Sequence, residues 1–396
     1  MSIKNLIIAF GGSSPEHEVS VLTAMQVFAA LDESSYALVP LYITKSGKWL
    51  GGDFLKDLSN YKDLKALESE CYPVSFSKDE MGRTHLNEQG KHRLFKKQIS
   101  IPVYAVVCAF HGSEGENGSF QGVCEQFNIP YTGSGVLASS VGMDKIKAKQ
   151  LCEANHIPVT SSLDFYESDW EQLQDTILKE ADLLGFPLVV KPANLGSSIG
   201  VKKVDDMESL IDAVEVAFRY DAHILVEVAI EPLMEINCSV LGTGENCQAS
   251  VCERPIGNTE TLSFEDKYQR GAGADKGMAA ADRVIPADIS LELTNQIRSM
   301  AVHTFKTFDA SGVARLDFLV NADTEEVYFN EINTIPGSFS FYLWDKSDIN
   351  FTQLVEELIA IALKRHQAKN GRIRSYETNL LNEKAATGIK GLKGIK

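Results

Sequence analysis

The sequence predicts an α/β protein of more than one domain, and three observations support this prediction. Residues 5–10 and 103–110 are almost continuously apolar, which is typical of parallel strands that are covered on both faces. Both segments run into glycine-rich loops, and these are followed by apolar residues at helical spacing. The chain has 396 residues, of which 44% are hydrophobic, so it is too long for one ordinary domain and fits two or three.

The first 137 residues are predicted to form an open α/β domain. Its elements, in chain order, are a strand at 5–10, a helix at 18–31, strands at 36–44 and 103–110, and a helix at 121–127. Residues 51–98 are polar and weakly periodic, so we predict an insertion of mixed short elements there. Open sheets of this kind bind ligands beyond the carboxyl ends of their strands.

The rest of the chain again alternates predicted helices and strands. From the periodicity we expect helices at 143–155, 207–220, 291–308 and 352–366, and strands at 187–192, 201–204, 223–230, 239–243, 314–320 and 326–333. A polar loop that contains many small residues is predicted at 256–282. Residues 369–396 are predicted to form a mobile basic tail.

The net charge of −16 argues against a nucleic-acid polymer as the partner, because proteins that neutralise phosphates need an excess of basic residues. Nine basic and two acidic residues follow Leu363, so this end carries +7 and the preceding 363 residues carry −23. Bound cations are one way for so acidic a body to reduce its self-repulsion.

The cysteine pattern favours a cytoplasmic protein. Seven cysteines are an odd number, and none of them forms a CxxC pair, so we expect reduced thiols and neither a disulfide framework nor a zinc site. No apolar stretch approaches the length of a membrane span, and residues 103–110 are among the longest. We therefore expect no membrane partner.

Two strands near the end of the chain carry candidate metal ligands. Glu331 and Asn333 are two residues apart and share one face of a predicted strand, and Asp317 can lie on the adjacent strand and face the same way. Carboxylate and amide oxygens suit Mg²⁺, which bridges nucleotide phosphates. The alternative is that these residues form only the polar faces of surface strands.

A lysine and a glycine–serine loop form a candidate phosphate site. Lys191 ends a predicted strand, and the loop 194–200 can bring several backbone N–H groups to phosphate oxygens. The GxxxxGK[ST] spacing of a Walker loop is absent. The alternative is a simple hairpin between two strands.

The first glycine loop, residues 11–20, has the strand–glycine–helix context of a phosphate loop but contains Glu16 and Glu18. These carboxylates would repel an anion, so an ammonium group suits the loop better. For Glu18 the simpler interpretation is that it stabilises the N-terminus of the helix.

Eight motifs follow one another in the order found in a single enzyme family. They are FGGSSPEHEVS, HGSEGENGSFQG, IPYTGSG followed by MDK, VVKPANLGSSIGV, ILVEVAI with Glu235, FEDKY, ARLDF and NEINTIPGS. With these motifs the chain resembles the D-alanine–D-alanine ligases of the ATP-grasp superfamily over most of residues 4–366.

The resemblance implies a three-domain ATP-grasp architecture, α+β in the ATP-grasp region, with a Rossmann-like open sheet at the N-terminus. The expected parts are an N-terminal domain at 1–137 with the first substrate site, a central subdomain at 138–230, a C-terminal subdomain at 231–368 with a lid loop and metal site, and the tail at 369–396. The implied activity is ATP-dependent formation of D-alanyl-D-alanine for peptidoglycan precursors in cell-wall synthesis. ATP and two Mg²⁺ (or Mn²⁺) ions are the implied cofactors, and a homodimer is the implied assembly.

The resemblance also implies roles for individual residues. The matching nucleotide contacts are Lys145, Lys191, Ser198, Glu227, Val228, Ile230, Glu235 and the lid lysine Lys267. Glu16 matches the group that fixes the first substrate's ammonium, in a triad with Ser197 and Tyr268, and Val19 and His111 line that site. Arg315 and the N–H of Gly337 match the oxyanion-stabilising pair. Asp317, Glu331 and Asn333 match the metal ligands.

The acceptor segment departs from the family pattern. Many members have a Ser–His–Ser-type stretch whose last serine binds the second substrate's carboxylate, but here residues 338–344 read SFSFYLW. Tyr342 stands at the usual serine, and Ser340 and Leu343 flank the site. The first interpretation is a variant with the same substrate. The alternative is another acceptor, such as D-serine or another small amino acid. Tyr268 speaks against D-lactate, which in the family goes with histidine at that position.

Two further hypotheses remain, of which the first changes only the substrate and the second leaves catalysis. One is an ATP-grasp ligase that joins a different carboxylate to a different amine. The other is a nucleotide-binding relative without activity, which requires a broken catalytic residue, and the matched catalytic positions are all occupied by the expected residue types.

Overall fold

Three β-sheets organise the chain in a computed structural model that describes residues 4–90, 99–256 and 283–373. The mixed α/β architecture confirms the predicted fold class. No helix within these ranges is long and apolar enough to cross a membrane. Residues 257–282 of the lid predicted at 256–282 lie outside the described residues, as do the tail from residue 374 onwards and the part of the insertion at 91–98.

The first sheet has seven strands in the order β6-β5-β4-β3-β2-β1-β7. The strands are β1 (Lys4–Gly11), β2 (Tyr36–Ile43), β3 (Trp49–Gly51), β4 (Tyr72–Lys78), β5 (Thr84–Glu88), β6 (Ser100–Pro102) and β7 (Ala105–Cys108). β1 pairs in parallel with both β2 and β7, and the remaining pairs are antiparallel. The predicted insertion therefore extends the parallel sheet by a run of antiparallel strands. Two 3₁₀ helices lie within it, at Asp53–Lys56 and Leu58–Lys62.

The helices of this first part are α1 (His17–Ala30), α2 (Leu64–Glu70), α3 (Ser113–Glu116) and α4 (Ser119–Phe127). The predicted helix at 121–127 thus begins two residues earlier, and the glycine-rich loop before it contains a short helix. The turn between β1 and α1 requires Gly11, which has φ of 93° and whose added Cβ would lie 2.1 Å from the carbonyl oxygen of Ile43. Because β1 and β7 are parallel, the loops that follow them meet at one edge of the sheet.

The second sheet is antiparallel, with strands in the order β10-β9-β11-β8. Its elements are β8 (Ser162–Tyr166), α7 (Glu167–Leu184), β9 (Leu188–Pro192), β10 (Lys202–Val204), α8 (Met207–Ala217) and β11 (His223–Val228). The predicted return of the chain at 201–204 is confirmed by β9 and β10. These residues have a hydrophobic core of their own, which includes Phe165, Leu188 and Val226.

The third sheet is also antiparallel, in the order β14-β13-β12-β15-β16. Its strands are β12 (Leu233–Gly242), β13 (Cys247–Pro255), β14 (Arg283–Val284), β15 (Gly312–Asn321) and β16 (Val327–Asn333). The accompanying helices are α5 (Val136–Met143), α6 (Lys145–Ala154), α9 (Leu291–Thr307), α10 (Phe341–Asp345) and α11 (Phe351–Asn370). β12 begins six residues before the predicted strand, and α11 includes the first two residues of the predicted tail.

Helix α6 packs against the third sheet, because Ala148 and Cys152 share a core with Ile236 and Phe318. The first sheet shares another core with Val313 and with apolar residues of the segment 335–361, and Phe10 and Phe339 belong to it. The predicted domain limits at 137, 230 and 368 stay predictions. The three sheets place their functional loops around one pocket.

Candidate active site

The candidate pocket lies where the glycine loops of the first sheet face the glycine–serine loop of the second sheet and the end of β16. It is lined by Glu16, Gly112, Glu116, Gly142, Met143, Lys145, Leu195, Gly196, Glu331, Ile332, Asn333 and Thr334. Four residues that the sequence singled out, Glu16, Lys145, Glu331 and Asn333, are therefore brought together from distant parts of the chain.

Glu16 and Ser197 are in direct contact across this pocket. The Ser197 hydroxyl donates a hydrogen bond to Oε1 of Glu16, although 181 residues separate the two in the chain. Glu16 precedes the first residue of α1. Gly112 packs so closely against its carboxylate that an added Cβ would lie 2.4 Å from Oε2. Tyr268, the predicted third member of this triad, lies outside the described residues.

The glycine–serine loop reaches Glu16 through an unusual backbone. Ser197 and Ser198 have φ of 55° and 57°, in the left-handed region that favours glycine. Non-glycine residues in this region cost about 1–2 kcal/mol each, and such outliers concentrate at functional sites. The strained loop is therefore consistent with a site for ligand oxygens.

The predicted metal ligands lie on one face of two paired strands. Asp317 on β15 is opposite Glu331 on β16, and Arg315 is opposite Asn333. Arg315 donates to both oxygens of Asp317, each at 2.7 Å, and the Asn333 amide donates to Asp317 Oδ2 at 3.1 Å. The position predicted for Asp317 beside the other two ligands is confirmed. Burial alone would lower the pKa of Arg315, but the Asp317 carboxylate raises it above its ordinary value.

This donor set fits a hard cation such as Mg²⁺. Within residues 4–90, 99–256 and 283–373, no three His, Cys, Asp or Glu side chains cluster to hold a metal, so the site depends on the Asn333 amide as its third protein oxygen.

Two lysines converge on one buried carboxylate beneath the pocket. Lys191 contacts Glu227 Oε1 and also donates to Asn330 Oδ1 at 2.9 Å, and Lys149 contacts Glu227 Oε2 at 2.6 Å. Burial would raise the pKa of Glu227, but the two ammonium groups outweigh it and lower the pKa to about 2. The side chain of Glu227 therefore faces the lysines.

The other predicted nucleotide contacts surround this cluster. Lys145 begins α6 and donates to the carbonyl oxygen of Leu195. Val228 ends β11, Ile230 follows it, and Glu235 is on β12. All three are partly exposed. Lys267 lies outside the described residues.

His111 links helix α1 to the segment after β16. It bonds to the carbonyl oxygen of Ile335 through Nδ1 at 2.8 Å and to Thr23 Oγ1 through Nε2 at 2.7 Å, and Ser338 donates its N–H to the same Thr23 oxygen. Only one tautomer satisfies this network, with the proton on Nδ1. Burial lowers the pKa of His111 to about 4 despite the Ile335 bond, so the ring is neutral near pH 7. Val19, the other residue predicted to line this site, is buried on α1.

Glu116 is a functional candidate that the sequence reasoning missed. Its side chain accepts the N–H groups of Gly112 at 3.0 Å and of Ile335 at 2.9 Å. Burial raises its pKa to about 7, and the nearby charge of Glu16 contributes to the rise. Its place five residues after His111, in the same glycine-rich motif, was the signal that could have found it.

The acceptor segment starts with a left-handed turn. Ser338, Phe339 and Ser340 have φ of 49°, 54° and 52°, three consecutive non-glycine residues in a region they rarely adopt. This turn follows directly after Gly337. The Ser340 hydroxyl is buried and has no hydrogen-bond partner in the described part of the chain. A buried unpaired hydroxyl is costly, which marks this turn as a functional candidate.

Tyr342 does not present its hydroxyl to the pocket. The hydroxyl donates to Glu253 Oε1 at 3.1 Å, and Asn237 donates to the same oxygen at 3.0 Å. Arg283 bonds to the other oxygen of Glu253 at 2.8 Å, and its guanidinium lies 4.2 Å from the centre of the Tyr342 ring. Leu343 is fully buried. The sequence reasoning missed the carboxylate that holds Tyr342, and the acceptor role of this segment stays a prediction.

Glu18 matches the simpler interpretation. It lies exposed in the first turn of α1, where a carboxylate stabilises the helix N-terminus, and it pairs with Lys45 at 2.5 Å.

Two sequence models of one family match the chain. The model described as "D-ala D-ala ligase N-terminus" matches residues 5–134, and "D-ala D-ala ligase C-terminus" matches residues 151–360. A D-alanine–D-alanine ligase from Thermosipho melanesiensis is 38% identical over 380 residues, covering 96% of this chain and 99% of the relative. One from Bacillus velezensis is 37% identical over 366 residues, covering 91% and 98%.

Solved structures give the same result. The D-alanine–D-alanine ligase from Coxiella burnetii has a TM-score of 0.76 and 28% identity, covering 94% of this chain and 97% of that one. The VanG D-Ala:D-Ser ligase from Enterococcus faecalis also has a TM-score of 0.76 and 28% identity, covering 91% and 100%. The shared architecture therefore includes enzymes named for different acceptors.

Proposed function

Since this chain belongs to the D-alanine–D-alanine ligase family, and is by that membership an ATP-using ligase, we propose a role for each group in its pocket. The enzyme joins two D-alanine molecules to give D-alanyl-D-alanine, ADP and phosphate, the dipeptide used for peptidoglycan precursors. The observation that carries the assignment of roles is the contact of Glu16 with Ser197 in the pocket that also holds Glu331 and Asn333.

Glu16 binds the ammonium group of the first D-alanine in this proposal. A half-buried carboxylate held in place by the Ser197 hydroxyl favours a cation, and the absence of side chains at Gly112 and Gly196 lets both backbones approach it. His111 and Val19 line the same site. The neutral state of His111 supports this assignment, because a second cation would repel the substrate's ammonium.

The nucleotide lies beside the second sheet in this proposal. Lys145, Lys191, Ser198 and the lid lysine Lys267 meet the phosphates, while Val228, Ile230 and Glu235 hold the adenosine. Glu227 contributes through Lys191, because its side chain is occupied by two lysines. The strained loop backbone at Ser198 supports a role in binding phosphate oxygens.

Asp317, Glu331 and Asn333 would hold two Mg²⁺ ions, whose charge offsets that of the phosphate oxygens. The donor chemistry of this face supports the assignment. Arg315, anchored on Asp317, stands next to these ligands and adds a fixed positive charge.

The reaction has two steps. A carboxylate oxygen of the first D-alanine attacks the γ-phosphorus, the bond to ADP breaks, and an acyl phosphate forms. The amine of the second D-alanine then attacks the acyl carbon, loses a proton, and phosphate leaves. Arg315 and the N–H of Gly337 meet the charge that builds on the carbonyl oxygen, and loss of such a donor costs about 10²–10³ in rate. Because acyl phosphates hydrolyse, water must be excluded, which is the role proposed for the loop at 256–282.

D-alanine is the acceptor in this proposal. The curated relatives at 35–38% identity are named D-alanine–D-alanine ligases, so the D-serine alternative is not favoured. Ser340 and Leu343 line the acceptor site, and Tyr342 shapes it through Glu253. Homodimer formation and a cytoplasmic location stay predictions from the sequence.

The first experiment measures ATP-dependent phosphate release, and identifies the products, with a panel of D-amino acids, L-amino acids and D-lactate. We expect D-alanine alone to support turnover and to give the dipeptide. Absence of D-alanine-dependent phosphate release would overturn the proposed function. A mixed dipeptide formed in preference to D-alanyl-D-alanine would show that the acceptor is an amino acid other than D-alanine.

A further inference from the structure

Lys149 is a buried lysine for which the proposed mechanism has no use. It lies on α6, and its side chain is 4% exposed. Its ammonium group donates to the carbonyl oxygen of Thr160 at 2.9 Å and to the Thr160 hydroxyl oxygen at 2.6 Å, and pairs with Glu227 Oε2 at 2.6 Å. Three contacts satisfy all its donors, so Lys149 itself is not placed to bind a ligand.

Glu227 is the centre of this cluster. It is 1% exposed, and it accepts the Thr160 hydroxyl at 2.9 Å in addition to the two lysines. A buried carboxylate requires compensation by positive charge. If Lys191 alone compensated the charge of Glu227, the pair would have no net charge, and no positive charge would remain for a ligand.

With Lys149 present, two lysines and one carboxylate leave the cluster with one net positive charge. Lys191 is the more exposed of the two lysines, with 10% of its side chain exposed against 4% for Lys149, and it also bonds to Asn330 on β16. Lys149 closes the opposite side of Glu227 against Thr160.

We propose that Lys149 is a positioning residue for nucleotide binding: it neutralises Glu227 and so keeps the charge of Lys191 directed at the nucleotide phosphates. This inference rests on the proposed function only in that the pocket binds a nucleotide, and it does not depend on which amino acids are joined.

The test compares the affinity for ADP of four variants by titration calorimetry, with steady-state kinetics beside it. Lys149→Met keeps the bulk of the side chain and removes the charge, so we expect ADP binding to weaken about tenfold and the KM for ATP to rise with it. The KM for the donor D-alanine should change less than about twofold. Lys149→Arg, which keeps the charge, should recover most of the affinity. Lys147→Met is the matched control, because Lys147 is exposed on the same helix and bonds only to Gln150 among the described side chains.

The double variant Lys149→Met with Glu227→Gln distinguishes an electrostatic role of Lys149 from a purely structural one. It returns one net positive charge to the cluster, so ADP affinity should recover to within about threefold of the parent. An ADP affinity equal to or weaker than that of Lys149→Met alone would overturn the proposal. If the role of Lys149 were purely structural, removing the charge of Glu227 as well would not recover ADP binding.

Thr160→Val tests the proposal if Lys149→Met does not fold. It removes the hydroxyl that joins Lys149 and Glu227 and should weaken ADP binding about threefold in the same direction. Unchanged ADP binding in Thr160→Val, together with unfolded Lys149→Met, would assign Lys149 to stability alone. If the parent protein binds ADP but lacks D-alanine-dependent turnover, the proposed function fails and the calorimetric test of Lys149 still applies.

Discussion

Oε1 of Glu116 accepts the backbone N–H of Ile335 at 2.9 Å, so a side chain beside the first sheet holds the backbone that follows the last strand of the third, 219 residues later. The same carboxyl group accepts the N–H of Gly112 at 3.0 Å. Removing it would leave two buried donors unpaired. We expect Glu116→Ala to lower the free energy of unfolding by about 2–4 kcal/mol, measured by urea denaturation.

Glu116→Gln is the matched variant, because its amide oxygen can still accept one of the two N–H groups. We expect it to lose roughly half as much stability. If Glu116→Ala is as stable as the parent, the bond to Ile335 does not hold the two parts together.

The buried, neutral His111 predicts an acid-sensitive fold. Its pKa is about 4 in the folded protein and about 6.5 when unfolded, so the unfolded chain binds more protons between these values. Stability is therefore complete above pH 6.5 and is lost as the pH falls towards 4, by up to about 3 kcal/mol from this residue.

The measurement is the urea midpoint against pH for the parent and for His111→Gln. The variant should be less stable near pH 7 and should show a shallower decline on acidification. Glu116 acts in the opposite direction, since its raised pKa lowers stability as the pH rises from about 4.5 to 7. The difference between parent and variant isolates the histidine. Parallel curves for the two proteins would contradict the assignment.

Glu331→Gln tests the metal face. The change removes one negative ligand oxygen and keeps the shape of the side chain, so we expect turnover to be abolished while nucleotide binding is partly kept. Turnover is measured by steady-state kinetics over a range of Mg²⁺ concentrations, and nucleotide binding is measured by calorimetry with ADP. Glu326→Gln, exposed before β16, is the control. Near-normal turnover of Glu331→Gln would remove the metal-ligand assignment.

Tyr342→Phe tests the acceptor segment. From the sequence alone, Tyr342 replaces a serine that contacts the acceptor, and its loss would raise the KM for the acceptor more than for the donor. In the structure the hydroxyl bonds to Glu253, so we now expect a loss of about 1–2 kcal/mol in stability and a change of less than about threefold in either KM. A selective rise in the KM for the acceptor would instead indicate that the tyrosine contacts the acceptor directly.

The sequence predicted most of the framework because the parallel strands β1 and β7 are continuously apolar and the helices are periodic. It predicted the Asp317–Glu331–Asn333 face because alternate residues on a strand share a side. It missed Lys149, since a lysine in a mixed helix looks like a residue on the solvated face. It also missed Glu253, because the partner of Tyr342 comes from a neighbouring strand whose register no local pattern specifies.

The division of the hydrophobic cores has a consequence for how the enzyme opens. The first sheet shares one core with Val313 and the segment 335–361, and His111 and Glu116 join the sheet to this segment, whereas the second sheet has a core of its own. Among the described residues, the polar contacts of Ser197 with Glu16 and of Lys191 with Asn330 cross the cleft between them. We therefore expect the second sheet to rotate as a rigid unit away from the rest of the pocket during nucleotide exchange. Hydrogen exchange should show ADP protecting the loop 194–200 while Ile335 stays protected with or without ligand; equal protection of both segments by ADP would refute such a hinge.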